Sequence, residues 1–273
     1  MEDELANKLS TGLSIRQKQY KIDGNNLNDN SKKSEKVLNL AIEEIILPYC
    51  KKKAKELFNA DVKIKKSISL YELQVLFQKN GGPEPNIHNK KVCMKPDGGI
   101  FFVIINGKEY PVLVIEDKIQ GTNDIRKKNG NTKQSTGNAI ERGGKNIRGA
   151  EMLFSSDLNI FPYALFASGC DFHSSETISK RIEMMNYGFP NHTIELTSNV
   201  EINVKKEIEE NILPKININN RCQKQIVSVF VKTHKWDDLE NGSSRWKKDE
   251  IATICCTMLD QAFDKLKKYI SNE

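Results

Sequence analysis

The chain of 273 residues is long enough for one large domain or two small ones, and its 29% charged and 38% hydrophobic residues are typical of a globular protein. No apolar run approaches the roughly 20 residues that span a bilayer, which excludes a transmembrane helix. The polar start MEDELANKLS lacks the apolar segment of a signal peptide, so we expect a cytoplasmic protein. A net charge of +6 is only a weak indication of a polyanionic partner.

The N-terminal part of the chain divides by composition. Residues 1–33 are polar, and we expect an arm there, either weakly ordered or folded against a partner such as DNA. Residues 34–273 are expected to form a single domain. Apolar residues recur at helical spacing after Ser34, which is placed to cap that helix. We expect Pro48 to kink or restart the helix, which continues to Phe58, and a second short helix over 70–78.

The segment KPDGGIFFVIINGKEYPVLVIEDK predicts a β-hairpin. Ile100–Ile105 is apolar and β-branched, Asn106-Gly107 is a strong two-residue turn signal, and Tyr110–Ile115 is the return strand. Both strands are nearly continuous in apolar residues, which places them in the middle of a sheet.

The elements that follow alternate between strands and helices. A polar loop over 120–136 precedes an amphipathic helix over Asn138–Phe154. The remaining expected elements are a strand over 161–168, a helix near 177–186, a strand near 225–233 and a helix over the last 25 or so residues. This order predicts an α/β fold with a mixed central sheet flanked by helices.

Three side chains at the open end of the hairpin form a candidate catalytic site. Asp97 precedes the first strand, while Glu116 and Lys118 end the second and point to the same side, with Asp117 on the other. Two carboxylates would bind Mg²⁺, with the backbone carbonyl of Asp117 as a possible further ligand, and Lys118 would steady charge during phosphodiester hydrolysis. The alternative is a cluster of surface ion pairs at a strand end.

The start of the helix after the polar loop carries the side chains that read DNA in other proteins. The polar and charged residues crowded into this start are Asn138, Glu141, Arg142, Lys145 and Arg148. Asparagine can bond adenine in the major groove, and arginine can bond guanine or hold a phosphate. The alternative is a solvated, charged helix face.

Six short segments together resemble the EcoRI-type restriction endonucleases. They are KPDGG at 95–99, VLVIEDKIQG at 112–121, TGNAIER at 136–142, KNI at 145–147, FPY at 161–163 and NYGFP at 186–190. The resemblance covers roughly residues 90–195 and more weakly the flanks. It implies the PD-(D/E)xK nuclease core and an Mg²⁺-dependent homodimer that cuts a palindrome and leaves 5'-phosphate ends, with each subunit cleaving one strand. It also implies a restriction-modification system, with a cognate methyltransferase in the same cell.

The resemblance also implies roles for individual residues. Asp97, Glu116 and Lys118 match the catalytic positions. The positions that match the segment reading an AATT core are Gly137, Asn138, Ala139, Glu141 and Arg142. Of these, Asn138 and Ala139 would contact adenines, while Glu141 and Arg142 would organise bonds across the dimer. Arg181 matches a family arginine near that region.

Three departures from the family pattern leave details open. Asp117 stands where EcoRI has a small apolar residue, and it would either alter metal affinity or pair with a nearby base. Gln134 to Thr136 also differ, and Ile178 replaces a second family arginine. We expect GAATTC as the site, with CAATTG or AATT as alternatives. A repair nuclease of the same fold and a non-catalytic DNA-binding protein remain the competing interpretations.

Overall fold

The computed structural model of the protein describes residues 25–79, 84–87, 89–119, 130–132, 138–153, 162–169, 192–197, 225–232 and 245–271. The helices are α1 (Asn25–Ala41), α2 (Leu47–Phe58), α3 (Leu70–Lys79), α4 (Asn138–Leu153) and α5 (Lys248–Ile270), with a π-helical turn at Ile42–Ile46 between α1 and α2. The strands are β1 (Asp61–Lys65), β2 (Ile68–Ser69), β3 (Cys93–Met94), β4 (Gly99–Ile105), β5 (Lys108–Ile119), β6 (Tyr163–Ser168), β7 (His192–Thr197) and β8 (Gln225–Lys232).

Six of these strands form one mixed sheet in the order β1-β4-β5-β6-β8-β7. β4 pairs antiparallel with both β1 and β5, whereas β6 lies parallel to β5 and to β8, and β7 is parallel to β8. The short strands β2 and β3 pair separately. The expected mixed sheet is confirmed, and so is the interior position of the hairpin strands β4 and β5.

The turn of the hairpin follows from its two residues. Asn106 and Gly107 have φ angles of 51° and 76°, the left-handed region that a two-residue turn between twisted strands requires. Asparagine and glycine enter that region at the least steric cost. This turn sets the β4–β5 register next to it, in which Ile105 lies opposite Lys108. A β-bulge between Phe101 and Phe102 then shifts the pairing by one residue, so that Gly99 lies opposite Ile115.

Helices cover both faces of the sheet, because β4 and β5 carry buried apolar side chains on both sides. On one face, α1, α2 and α5 enclose a core that includes Leu38, Ile46, Phe101, Leu113, Ile115, Leu259 and Phe263. On the other face, α3 and α4 enclose a core that includes Leu73, Phe102, Val114, Ile147 and Leu165. The functional consequence is that β5 presents one row of side chains to α1 and the other row to α4.

The first helical region differs from expectation at its start and agrees with it at the proline. The predicted cap at Ser34 was wrong, because α1 already begins at Asn25 and Ser34 lies inside it. The helix restarts near Pro48 as expected. Proline has no N–H, and its ring clashes with the carbonyl of the residue four positions earlier. The chain avoids this clash with the π-helical turn, in which the N–H of Leu47 donates to the carbonyl of Ile42.

The other expected elements within the described ranges are present. α3, α4, β6, β8 and α5 lie where the pattern predicted them, within a few residues. β1 and β7 were not predicted, and the helix expected near 177–186 lies outside the described residues. In the part of the chain that the structure describes, no helix has the length and apolar character needed to cross a membrane.

Candidate active site

Two glycines bring Asp97 against the end of β5. The N–H of Gly98 donates to the carbonyl of Ile115 at 2.9 Å, and the N–H of Gly99 donates to the carbonyl of Pro96 at 3.0 Å, which closes a tight turn. A Cβ atom at Gly98 would lie 2.6 Å from the Cβ of Ile115, so only glycine permits this approach. Asp97 is therefore held beside the residues that follow Ile115.

The ammonium group of Lys118 lies among three oxygens. Its Nζ donates to Asp97 Oδ2 at 2.6 Å and to the backbone carbonyl of Asp117 at 3.1 Å, and it also forms an ion pair with Glu116 Oε1. These are the three groups that the sequence suggested as metal ligands. One cation already sits at their common centre, which shows that all three can face a single positive charge.

Burial governs the electrostatics of Glu116. The residue is fully buried, and burial raises the pKa of its carboxyl group to about 7. The charge of Asp97 adds to this rise, while Lys118 and Asn146 oppose it. The main-chain N–H of Asp97 donates a further hydrogen bond to Glu116 Oε2 at 3.2 Å.

Lys118 keeps its charge in this setting. Burial by itself would lower the pKa of its ammonium group, but the carboxylates of Glu116 and Asp97 outweigh burial and the pKa is raised. Lys118 is therefore a charged hydrogen-bond donor at neutral pH and not a general base in this arrangement.

Asn146 on α4 is a site residue that sequence reasoning did not assign. Its Nδ2 donates to both carboxylate oxygens of Glu116, each at 3.0 Å. Gly143 and Gly149 flank Asn146 and let α4 pack closely. A Cβ atom at Gly143 would be 3.2 Å from Leu165 Cδ2 in β6, and one at Gly149 would be 2.8 Å from Met94 Sδ in β3. A polar residue between two glycines on the sheet-facing side of a helix was the available signal.

Asp117 faces the opposite side of β5, towards α1. The hydroxyl of Ser34 donates to its Oδ2 at 2.6 Å. Burial raises the pKa of the Asp117 carboxyl group to about 6, and Asp97 adds to the rise, whereas Ser34, Lys118 and Arg245 oppose it. Asp117 thus pairs with a hydroxyl and lies in the field of a base, Arg245.

The trio of Asp97, Glu116 and Lys118 opens into a cleft of about 440 Å³. It is lined by Glu35, Lys95, Asp97, Glu116, Asp117, Lys118, Ile119 and Asn146. Carboxylates form one part of its wall, and the basic side chains Lys95 and Lys118 contribute positive charge. A cleft of this composition can hold a cation on the carboxylates and a phosphate beside the lysines.

The donor set fits a hard divalent cation. Within the described ranges, no group of three or more His, Cys, Asp and Glu side chains has the arrangement of a metal site. The trio supplies two such side chains, Asp97 and Glu116, and the carbonyl of Asp117 completes the donor set. Oxygen donors from carboxylates and a main-chain carbonyl are the ligands that Mg²⁺ accepts, usually together with water.

Only some of the residues predicted to read DNA lie within the described part of the structure. Asn138, Ala139, Glu141 and Arg142 lie in the first two turns of α4, and the exposed Lys145 adjoins Asn146 on the same helix. At a rise of about 1.5 Å per residue, Asn138 and Asn146 are roughly 12 Å apart along the axis. Gly137 and Arg181 lie outside the described residues.

Comparison with known proteins identifies a family that this chain resembles. Residues 24–273 match the family model described as Restriction endonuclease EcoRI. No curated protein matches the chain. The family match spans nearly the whole chain, including all three residues of the trio and the whole of α4.

Proposed function

The chain belongs to the EcoRI family of restriction endonucleases, and we propose that it hydrolyses double-stranded DNA at a palindromic site with an AATT core, with Mg²⁺ as cofactor. We expect the full site to be GAATTC and the products to carry 5'-phosphate ends, with CAATTG as the alternative site. The observation that carries the proposal is the convergence of Asp97, Glu116 and the Asp117 carbonyl on the ammonium of Lys118.

The proposed roles follow from the chemistry of each group. Asp97, Glu116 and the carbonyl of Asp117 would hold Mg²⁺, which when bound polarises the scissile phosphate and lowers the pKa of its water. Glu116 must give up its proton to serve as a ligand. Lys118, which retains its proton, would then turn its N–H donors towards the phosphate and the attacking water and stabilise the developing negative charge.

The proposed recognition function belongs to the N-terminal turns of α4. Asn138 and Ala139 would contact adenines, Glu141 and Arg142 would organise bonds across the dimer, and Gly137, Lys145 and Arg181 would complete the DNA contacts. A palindrome has twofold symmetry, which a homodimer matches by cleaving one strand with each subunit. A cell that contains this activity in its cytoplasm would need a methyltransferase to protect its own DNA.

A plasmid with a single GAATTC site, incubated with the protein and Mg²⁺, tests the proposal. Linearisation at that site is expected. Nicks at scattered positions would instead support a repair nuclease of the same fold, and a gel shift without cutting would support a DNA-binding protein. Sequencing the ends cut from a random DNA library would identify the outer base pair and the cut position together.

We expect Asn138→Ala to lose discrimination at the adenines. When asparagine makes a bidentate contact to adenine, the protein binds adenine more tightly than another base at that position by ~1–3 kcal/mol, or roughly 5- to 150-fold in affinity. Binding to AATT sites and to single-base variants should be compared in Ca²⁺, with Thr253→Ala on α5 as the control. An unchanged preference for AATT in Asn138→Ala would contradict the assignment.

We expect Asn146→Ala to weaken cleavage through Glu116. Loss of a residue that orients a metal ligand typically lowers metal affinity or activity by ~10- to 100-fold. Single-turnover cleavage should therefore need more Mg²⁺, while DNA affinity measured without metal stays near that of the wild type. An unchanged Mg²⁺ dependence would show that the Asn146–Glu116 contact has no functional weight.

A further inference from the structure

Asp117 places a carboxylate where the strand otherwise presents apolar side chains. Leu113 and Ile115 point from β5 into the core beneath α1 and α5, and Asp117 continues that row. Its Oδ1 is buried and, within the described part of the chain, has no hydrogen-bond partner. Burying a carboxylate is unfavourable unless its contacts compensate. The contacts that Asp117 does make therefore indicate what the carboxylate is for.

The main chain of Asp117 touches two members of the trio. Its N–H donates to Asp97 Oδ2 at 3.2 Å, and its carbonyl accepts from Lys118 Nζ at 3.1 Å. A rotation of either peptide group would move a proposed metal ligand or release Asp97. The orientation of this residue is therefore part of the geometry of the site.

The side chain of Asp117 is held from α1. Ser34 donates its hydroxyl to Asp117 Oδ2 at 2.6 Å, a short bond of the charge-assisted kind. A serine inside a helix commonly bonds a carbonyl of its own helix, whereas Ser34 crosses to the strand. The next residue, Glu35, lines the cleft, so the same turn of α1 forms part of the cleft wall.

We propose that Ser34 and Asp117 form a positioning pair that fixes the cation-binding end of β5 against α1. Ser34 acts through Asp117, and the Asp117 carboxylate acts through its own main chain; neither side chain needs to touch the substrate. Catalytic competence then depends on the docking of α1. This inference rests on the proposed function, because it concerns the same site.

Single-turnover cleavage of a GAATTC duplex tests the pair. Ser34→Ala removes one hydrogen bond to a charged group and should slow cleavage by ~10-fold, with little change in DNA affinity measured without metal. Ser34→Thr keeps the hydroxyl and should retain most of the rate. Asp117→Ala should also be slow, and Ser34→Ala combined with it should be no slower than Asp117→Ala alone. Multiplicative losses in the double variant would overturn the proposal.

Tyr49→Phe is a control for a general loss of stability. The Tyr49 hydroxyl donates to both carboxylate oxygens of Asp260, at 2.6 and 2.7 Å, and so ties α2 to α5 away from the cleft. This variant loses a hydroxyl–carboxylate contact of the same chemical kind and should cleave at the wild-type rate below its melting temperature. An equal slowing in Tyr49→Phe and Ser34→Ala, at matched losses of thermal stability, would show a merely structural role.

Hydrogen exchange separates failure of this inference from failure of the proposed function. The amide protons at the end of β5, including that of Asp117, should exchange faster in Ser34→Ala than in the wild type or in Tyr49→Phe. This readout needs no cleavage. If the wild type does not cut DNA, the proposed function fails, and faster exchange confined to Ser34→Ala still supports the pair. Unchanged exchange overturns the pair whether or not the wild type cuts.

Discussion

Lys118→Ala should bind its DNA site and fail to cut it. The ammonium is the one group, among the described residues, in contact with Asp97, Glu116 and the Asp117 carbonyl together, and its raised pKa keeps it charged. Loss of a single donor that stabilises charge in a transition state typically costs ~10²- to 10³-fold in rate. We expect cleavage to fall by at least ~10³-fold, because Lys118 would contribute both charge and hydrogen bonds.

The variant should still fold. Removal of Lys118 leaves Glu116 buried beside Asp97 without its cation, which would be costly for an ionised carboxylate. The pKa of Glu116 is already about 7, so this carboxyl group can take up a proton at neutral pH instead. Specific binding, measured by gel shift in Ca²⁺, should therefore survive.

Two controls sharpen this prediction. Lys118→Arg keeps the charge but replaces a compact ammonium by a planar fork, so it should also cut poorly. Lys53→Ala removes a different ion-paired lysine, whose Nζ lies 2.9 Å from Asp260 Oδ1 on the α2–α5 contact, and it should cut like the wild type. Cleavage by Lys118→Ala at the wild-type rate would contradict the catalytic role assigned to Lys118.

Local sequence signals predicted the part of the site that local structure builds. The Asn106-Gly107 turn and the apolar strands on either side determine the hairpin, and the hairpin brings Asp97 to Glu116 and Lys118. These steps depend on residues close in the chain, and the two-residue period of a strand holds from Leu113 to Lys118, beyond the β-bulge opposite Phe101 and Phe102. The sequence alone could therefore predict that these three side chains lie together.

The sequence did not predict contacts between elements that are distant in the chain. Serine is a residue type that commonly caps helices, yet the hydroxyl of Ser34 bonds Asp117, which lies far along the chain in β5. Asn146 belongs to a segment that resembles a DNA-reading helix, and only the packing of α4 on the sheet brings it to Glu116. Sequence periodicity identifies which face of an element is apolar, but not which polar residue it meets across a tertiary contact.

The edge strands β1 and β7 were not predicted, for a related reason. β1, with the sequence DVKIK, has alternating apolar residues but only five positions, and its identity as a strand depends on pairing with β4. Strand propensity in so short a segment is set mainly by neighbours in the sheet. The interior strands, by contrast, are apolar on both faces and could be identified alone.

Glu116→Gln should abolish cleavage and leave the fold intact. Glutamine keeps the shape of the side chain but offers no charge to a cation, so we expect a loss of at least ~10³-fold in cleavage, more than the ~10- to 100-fold typical of an orienting residue. The amide can still accept a hydrogen bond from Asn146, which donates to this side chain in the wild type.

Glu116→Gln should also change how the stability of the metal-free protein depends on pH. Burial raises the folded-state pKa of Glu116 to about 7, well above its value in an unfolded chain, so between these two values the folded state binds more protons. Its contribution to stability is therefore present at low pH and falls as the pH rises from the unfolded-state pKa through about 7. Glu116→Gln lacks this titration.

Urea unfolding in EDTA at several pH values checks the prediction. The stability of Glu116→Gln relative to the wild type should rise from about pH 4.5 to about pH 8, as the wild type comes to bury a charge that the variant lacks. Thr253→Ala, which removes an exposed hydroxyl and no ionisable group, is the control and should show no such trend. A variant that loses relative stability with rising pH would mean that the ion pair with Lys118 outweighs burial, and the raised pKa of Glu116 would then be wrong.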